Sequence, residues 1–341
     1  MLLFSRVEYK NYRSRQPRYF LLLSFLLFLA HPSFAEIVIA VVGKTKNDSF
    51  YLQSFKGCLK FAESHTDIRC VYDGAENYQD IRAQNIVVNN LLKKGIDGLL
   101  ISITDSEFLA NGALQSIKNN QIPVITFDSD LLAQHQQHRL AYVGTDNFNF
   151  GKELGTYIKR FAKQEHNYIC LQSGHSSAPN LNERIAGVRY ALSGQSTDRL
   201  SGINGWFEEA RCPLYSLGKR DFALNQLKFM VARSTPPIFL AVAGFAQFNP
   251  RYIEQMLEFK ESIDNGEIII VSADTEQIQI AALQAGVSVA NLGQKPFEMG
   301  RLGTELLYKL ITEQEKPAKS HYFLDYHHCT QDNAANCTVN Y

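Results

Sequence analysis

From Glu36 onward the chain alternates short β-branched apolar runs with longer stretches whose apolar residues return every three or four positions. That alternation restricts the fold more than any other feature. Parallel strands cannot be joined by a tight turn and need a crossover, usually helical, so the pattern predicts parallel sheet covered by helices. The strand pattern reads at Ile37–Val42, Ile68–Tyr72, Gly98–Ile101, Val124–Phe127, Leu140–Val143, Tyr168–Gln172, Ile203–Glu208, Ile238–Ala241, Ile268–Val271 and Val287–Asn291. Helical periodicity covers Ser49–Ser64, Tyr78–Lys94, Ser106–Asn119, Asn147–Gln164 and Asn180–Leu192, with Ser49, Asp105 and Asp146 as expected N-caps. Ten strands are many for one open sheet. The economical expectation is an α/β chain of two doubly wound parallel-sheet lobes, five or six strands each.

The first 35 residues stand apart from this pattern. Arg6, Lys10, Arg13, Arg15 and Arg18 precede an apolar run of about 11 residues and then Ser33-Phe34-Ala35. This is the layout of a cleavable secretory signal, and the run is short against the roughly 20 residues of a membrane span. Cleavage after Ala35 is expected, with Glu36 in place of a lipoprotein cysteine, which points to the periplasm. The full chain has 34 Lys+Arg and 34 Asp+Glu; without residues 1–35 it has 29 against 33. Such a balance gives no basic surface for nucleic acid. All six cysteines follow the signal, as expected for disulfides in an exported chain. Neighbours are expected to pair, Cys58 with Cys70, Cys170 with Cys212 and Cys329 with Cys337. Fifteen connectivities are open, as are free thiols for the middle pair.

In doubly wound sheets ligands lie beyond the carboxyl ends of the strands. The residues there include Asn47, Phe50, Tyr51, Ser102, Asp128, Arg184, Asp274 and Gln294. Carboxylates and an Arg fork suit sugar hydroxyls, which both donate and accept, and an aromatic face suits the C–H side of the ring. Each residue also has a plain structural reading: Asp128 as a helix cap, Arg184 in a surface ion pair, Phe50 and Tyr51 as core. No G-x-S-x-G, H-E-x-x-H or G-x-x-x-x-G-K-[ST] motif is present. His135 with His138 and His327 with His328 lack neighbouring ligands at metal spacing and read as solvated loop histidines, so no metal and no cofactor is expected. Trp206, at the end of an expected strand, suits core packing, with cleft lining as the alternative.

Seven separated motifs then carry a resemblance: Asn47-Asp-Ser-Phe-Tyr51, Ile101-Ser-Ile-Thr-Asp-Ser106, Pro123-Val-Ile-Thr-Phe-Asp128, Val143-Gly-Thr-Asp-Asn147, Glu183-Arg-Ile-Ala-Gly187, Val271-Ser-Ala-Asp274 and Asn291-Leu-Gly-Gln-Lys-Pro-Phe-Glu-Met-Gly300. In this order the chain resembles the type I periplasmic sugar-binding proteins, the ribose-binding-protein-like receptors of ABC importers. The resemblance implies two lobes joined by a three-segment hinge near Gly144–Asp146, Leu292–Lys295 and Pro317–Tyr322. The first lobe is then 36–144 plus 295–318, and the second 145–294 plus 319–341. It further implies that Phe50 and Tyr51 cover a sugar ring, that Asn47, Ser102 and Asp128 bind from the first lobe, and that Arg184, Asp274 and Gln294 bind from the second. Ser129, Ala243 and Ala273 replace larger family contacts, so a ligand other than ribose and a roomier pocket are expected. The implied function is capture of a small polar ligand, a monosaccharide or related sugar, by a non-enzymatic monomer that delivers it to the membrane permease of an ABC importer. The alternative partner is a membrane sensor, a chemoreceptor or histidine kinase. An exported glycosidase using Asp128 and Asp274 is the reading from another class.

Overall fold

The computed structural model describes residues 36–337 except 79 and 164, together with Glu8 and Lys10. The signal segment expected at 1–35 therefore lies outside the described residues, apart from those two positions.

Thirteen strands are described: β1 (Ile37–Gly43), β2 (Ile68–Gly74), β3 (Gly98–Ile101), β4 (Val124–Phe127), β5 (Ala141–Gly144), β6 (Asn167–Ser173), β7 (Trp206–Glu208), β8 (Leu214–Tyr215), β9 (Ile238–Ala241), β10 (Ile270–Ala273), β11 (Ala290–Gly293), β12 (His321–Phe323) and β13 (His327–Thr330). They form two sheets. One runs β12-β5-β4-β3-β1-β2, and the other β13-β11-β10-β9-β6-β7 with β8 beside β6. Both lobes share a doubly wound order in which the chain reverses direction across the sheet, between β1 and β3 in the first and between β6 and β9 in the second. Crevices outside such reversal points are where open α/β sheets hold ligands.

The central strands β3, β4, β5, β9, β10 and β11 are buried along their whole length, as β-branched runs covered on both faces should be. Helix Pro296–Glu313 returns to the first lobe and lies against helix Ser49–Ala62, where Gly300 allows the backbone of Ser54 to approach. Helices Asn147–Ile158 and Pro179–Ser193 pack in the second lobe through Gly151 and Gly187. A Cβ built at Gly151 would lie 2.0 Å from the carbonyl oxygen of Arg184, so only glycine fits there.

Several expectations change in detail. Asp48 rather than Ser49 caps the first helix, its carboxylate accepting from the Phe50 amide, while Asp105 and Asp146 cap as read. The helix expected over 106–119 is two helices, Ser106–Asn111 and Ala113–Asn119, broken at Gly112 where Asn85 Oδ1 reaches the Ala113 amide. Residues 203–205 form a 3-10 turn, which leaves Trp206–Glu208 as strand, with Trp206 buried in the core. β12 hydrogen-bonds to β5 of the first sheet, so residues 319–323 belong to the first lobe and not, as expected for 319–341, to the second. The last crossover therefore lies at 324–326. β13 runs antiparallel to β11, so the second sheet is mixed rather than wholly parallel. His327 and His328 belong to this strand and are not solvated loop residues: His327 Nε2 is 2.9 Å from Thr275 Oγ1 and His328 Nε2 is 3.0 Å from Glu153 Oε1.

The three expected cysteine pairs stand at disulfide distance, with Cα separations of 6.2 Å (Cys58 and Cys70), 5.3 Å (Cys170 and Cys212) and 5.7 Å (Cys329 and Cys337). His327, Cys329 and Cys337 bring potential metal-ligand atoms within 4.8 Å of one another. Sulfurs joined to each other offer no thiolate, so this group does not read as a metal centre.

Candidate functional site

Asp128 follows β4 with φ 57°, in the left-handed region that an aspartate tolerates better than most residues. Tyr51 Oη and Ser102 Oγ donate to its Oδ2 at 3.0 and 2.8 Å, while Asn180 Nδ2 of the second lobe donates to Oδ1 at 3.2 Å. Arg184 Nη2 stands 4.0 Å from the same Oδ1. One buried carboxylate thus takes hydrogens from both lobes, and such fully bonded charges are the kind that an interior tolerates. Tyr51 Oη also meets Tyr78 Oη at 3.2 Å, and burial raises the pKa of both phenols well above 10.

Arg184 is the hub of the second lobe and is only 1% exposed. Nε donates to Asn147 Oδ1 at 2.8 Å, Nη1 to the Val242 carbonyl at 3.0 Å and Nη2 to Gln294 Oε1 at 2.8 Å. The guanidinium carbon lies 4.6 Å from the Phe150 ring centroid, within cation–π range. Gln294 also accepts from Thr145 Oγ1 at 2.9 Å and donates to Asp274 Oδ1 at 2.7 Å. Asp274 follows β10 with φ 71°, and its Oδ2 accepts from the Gly244 amide at 3.3 Å. Burial pushes the Asp274 carboxyl up to about 6, opposed by the Arg184 charge and the Gln294 hydrogen bond.

Six of the nine expected site residues, Tyr51, Ser102, Asp128, Arg184, Asp274 and Gln294, therefore form one connected polar network. Ser129 is buried beside Asp128, and its Oγ has no hydrogen-bond partner among the described residues. Phe50 packs edge-on to Tyr51 at 5.4 Å within the first lobe's core. Asn47 lies apart: it is exposed, and its Nδ2 donates to the Glu76 carbonyl at 2.9 Å. It borders a cavity of about 620 Å³ that opens between the lobes, with Tyr78 on one side and Arg220 and Phe222 on the other. The buried neighbour is Asp48, with Arg220 at 3.8 Å.

Four connecting residues were not singled out from sequence: Lys44, Thr145, Asn147 and Asn180. Asn180 precedes Arg184 by four residues, one helical turn, a spacing that puts both on one face. Asn147 takes Arg184 on its oxygen and gives its amide to the Asp128 carbonyl at 3.2 Å, joining the two clusters. Lys44, directly after β1, carried the same positional signal as Ser102 and Asp128. It is buried, and its Nζ donates to Asn180 Oδ1 across the lobes at 2.9 Å. Tyr78 and Phe245 meet from opposite lobes, edge to face at 4.9 Å.

Comparison with known proteins agrees with this two-sheet fold. The family profile described as periplasmic binding protein domain matches residues 39–315. The ribose import binding protein RbsB of Salmonella typhimurium is 25% identical over 285 residues, which is 84% of this chain and 88% of that protein. A solute-binding protein of an Agrobacterium vitis ABC transporter, solved with D-fucose, superposes with a TM-score of 0.76 at 21% identity, covering 88% of this chain and 97% of that one. One from Burkholderia graminis, solved with D-arabinose, gives 0.73 at 20% identity, covering 89% and 99%.

Proposed function

The chain belongs to the periplasmic binding protein domain family, and from that premise we propose that it captures a monosaccharide or related sugar between its two lobes and delivers it to the permease of an ABC importer. As a member of that family it is a binding protein and not an enzyme. Its compartment in this reading is the periplasm, reached through the cleavable signal at 1–35.

The observation that carries the proposal is the shared network. Asp128 sits in the first lobe, Arg184 and Asp274 in the second, and Asn180, Asn147 and Gln294 join them. A sugar ring presents alternating donors and acceptors, which such carboxylates and amides can exchange for the bonds they make to each other. Contacts drawn from both lobes at once favour the closed arrangement over any open one, and that difference in affinity is what a ligand needs to drive closure. Ser129, with an unpaired buried hydroxyl, supplies a further donor or acceptor in place of the larger family side chain. Ala243 and Ala273, both buried, bring no polar group, in keeping with a ligand other than ribose.

The test is a thermal-shift screen of pentoses, hexoses, polyols, nucleosides and amino acids, with product analysis of each hit. A ligand at a hundred times its Kd adds about 2.7 kcal/mol to stability. A rise in Tm with one or a few sugars and no turnover is expected. A rise only with amino acids or nucleosides, or conversion of the sugar to product, would overturn the reading.

A further inference from the structure

The tail strand β13 contributes no side chain to the network described above, yet it lies against the backbone that carries half of it. It runs antiparallel on β11 with His327 opposite Gly293, His328 opposite Leu292 and Cys329 opposite Asn291. Those three partners are the ones that hold Asp274 and Gln294. The Leu292 carbonyl accepts from the Asp274 amide at 2.7 Å, Asn291 Nδ2 donates to the Asp274 carbonyl at 2.8 Å, and Gly293 directly precedes Gln294. Asp274 has φ 71°, a left-handed backbone that persists in a non-glycine residue only where its surroundings hold it.

Successive strand residues point to opposite faces, so His327 and His328 reach different parts of the lobe. His328 Nε2 is 3.0 Å from Glu153 Oε1 and its ring stacks on Tyr157 at 5.7 Å, both in the helix that Asn147 begins. His327 Nε2 is 2.9 Å from Thr275 Oγ1, and Thr275 is fully buried directly after Asp274. A Cβ on Gly293 would collide with both of these atoms, so the pair rests on the backbone one residue before Gln294. Two residues beyond His327, Cys329 is bonded to Cys337 and packs with Ile280, Leu283 and Ala334, which fixes β13 against the helix Gln277–Gln284 that follows Thr275.

We propose that His327 is a positioning residue for sugar binding: held in register by the Cys329–Cys337 closure, it fixes Thr275 over Gly293 and so sets the direction of the Asp274 carboxylate. This rests on the sugar-binding reading above and adds a side chain that acts through Asp274 rather than on the guest.

Two measurements on the protein lacking residues 1–35 test it: titration calorimetry with D-ribose, D-allose, D-arabinose, D-fucose and D-galactose, and carbon-13 NMR titration of the Asp274 carboxyl. The variants are Thr275→Val, His327→Ala, His327→Gln and the double change Thr275→Val with His327→Ala. Thr275→Val and His327→Ala should each weaken the tightest-binding probe roughly 3- to 10-fold, the range for one neutral hydrogen bond, while His327→Gln, which keeps a hydrogen-bonding group near the place of Nε2, should stay within about twofold. The double variant should bind no more weakly than His327→Ala, because both changes break the same bond. The Asp274 carboxyl, pushed up to about 6 by burial, should titrate ~0.5 pH unit or more lower in Thr275→Val and His327→Ala as its surroundings loosen. Affinity and titration both unchanged in these two variants overturn the role of His327 and leave the sugar reading in place, as does a loss in His327→Gln equal to that in His327→Ala. Should the unsubstituted protein bind no probe, the sugar reading falls and the titration decides the rest: an unchanged Asp274 carboxyl overturns the role of His327, and the downward shift upholds it.

Discussion

Arg184→Ala removes three hydrogen bonds at once, to Asn147, the Val242 carbonyl and Gln294, together with the cation over Phe150. Each bond to a charged group contributes about 1.5–3 kcal/mol, but the three share one side chain and do not add fully. Breaking a buried charged cluster by deleting one member costs about 3–5 kcal/mol, and ~4 kcal/mol is the expected loss. For a chain of this length the unfolding entropy is ~0.6 kcal/mol per kelvin, which turns that loss into a fall in Tm of ~6 °C. The variant should remain folded and should no longer be stabilised by the sugar that stabilises the unsubstituted protein. Differential scanning calorimetry with and without that sugar measures both effects. A Tm within one degree of the original, or an unchanged ligand-induced rise, would refute the assignment of Arg184 as hub of the site.

Asp274 is raised from 3.8 to about 6 by burial, so in this conformation it contributes stability that is present below about 3.8 and lost as pH rises through about 6. Asp274→Asn should remove that slope, and the difference in Tm between the two proteins should change by the equivalent of up to ~3 kcal/mol between pH 3.5 and 7; a constant difference would count against the burial assigned here. Gly151→Ala should destabilise by ~1–3 kcal/mol or more and also weaken sugar binding, because the new Cβ meets the backbone of Arg184; urea titration and calorimetry would show the idea wrong if both were unchanged. Replacing Cys329 and Cys337 by Ser opens a loop of sequence separation 8, and chain entropy alone predicts a loss of roughly 2.5 kcal/mol. Hydrogen exchange should then quicken in β11 and β13 and stay constant in the first sheet.

Legibility in the sequence followed hydrophobic content. The strand positions in the two cores were readable because a strand buried on both faces must be an unbroken apolar run, as in Gly98–Ile101 and Ile238–Ala241. β12 and β13 were not, since His321-Tyr-Phe and His327-His-Cys-Thr are short, polar edge strands held by their neighbours' backbones. The break at Gly112 is signalled locally by Asn111-Gly112, while its fixing by Asn85, a residue from another helix, is not. Within the site, Asp128, Ser102 and Asp274 could be located because they end strands. Thr145 and Asn147 lie in the Val143–Asn147 motif and Asn180 one turn before Arg184, but their contacts follow from which groups the crossovers bring back into reach. Asn47 is expected in the site, yet the helix start turns its neighbour Asp48 inward and leaves Asn47 at the rim.

The cysteine pairs are distributed in a way that bears on motion. Cys58 and Cys70 join a helix and a strand of the first lobe, while Cys170 with Cys212 and Cys329 with Cys337 lie wholly in the second. Among the described residues each pair thus braces one half from within, and none of the three bridges the two halves. Reductants should therefore loosen each half separately.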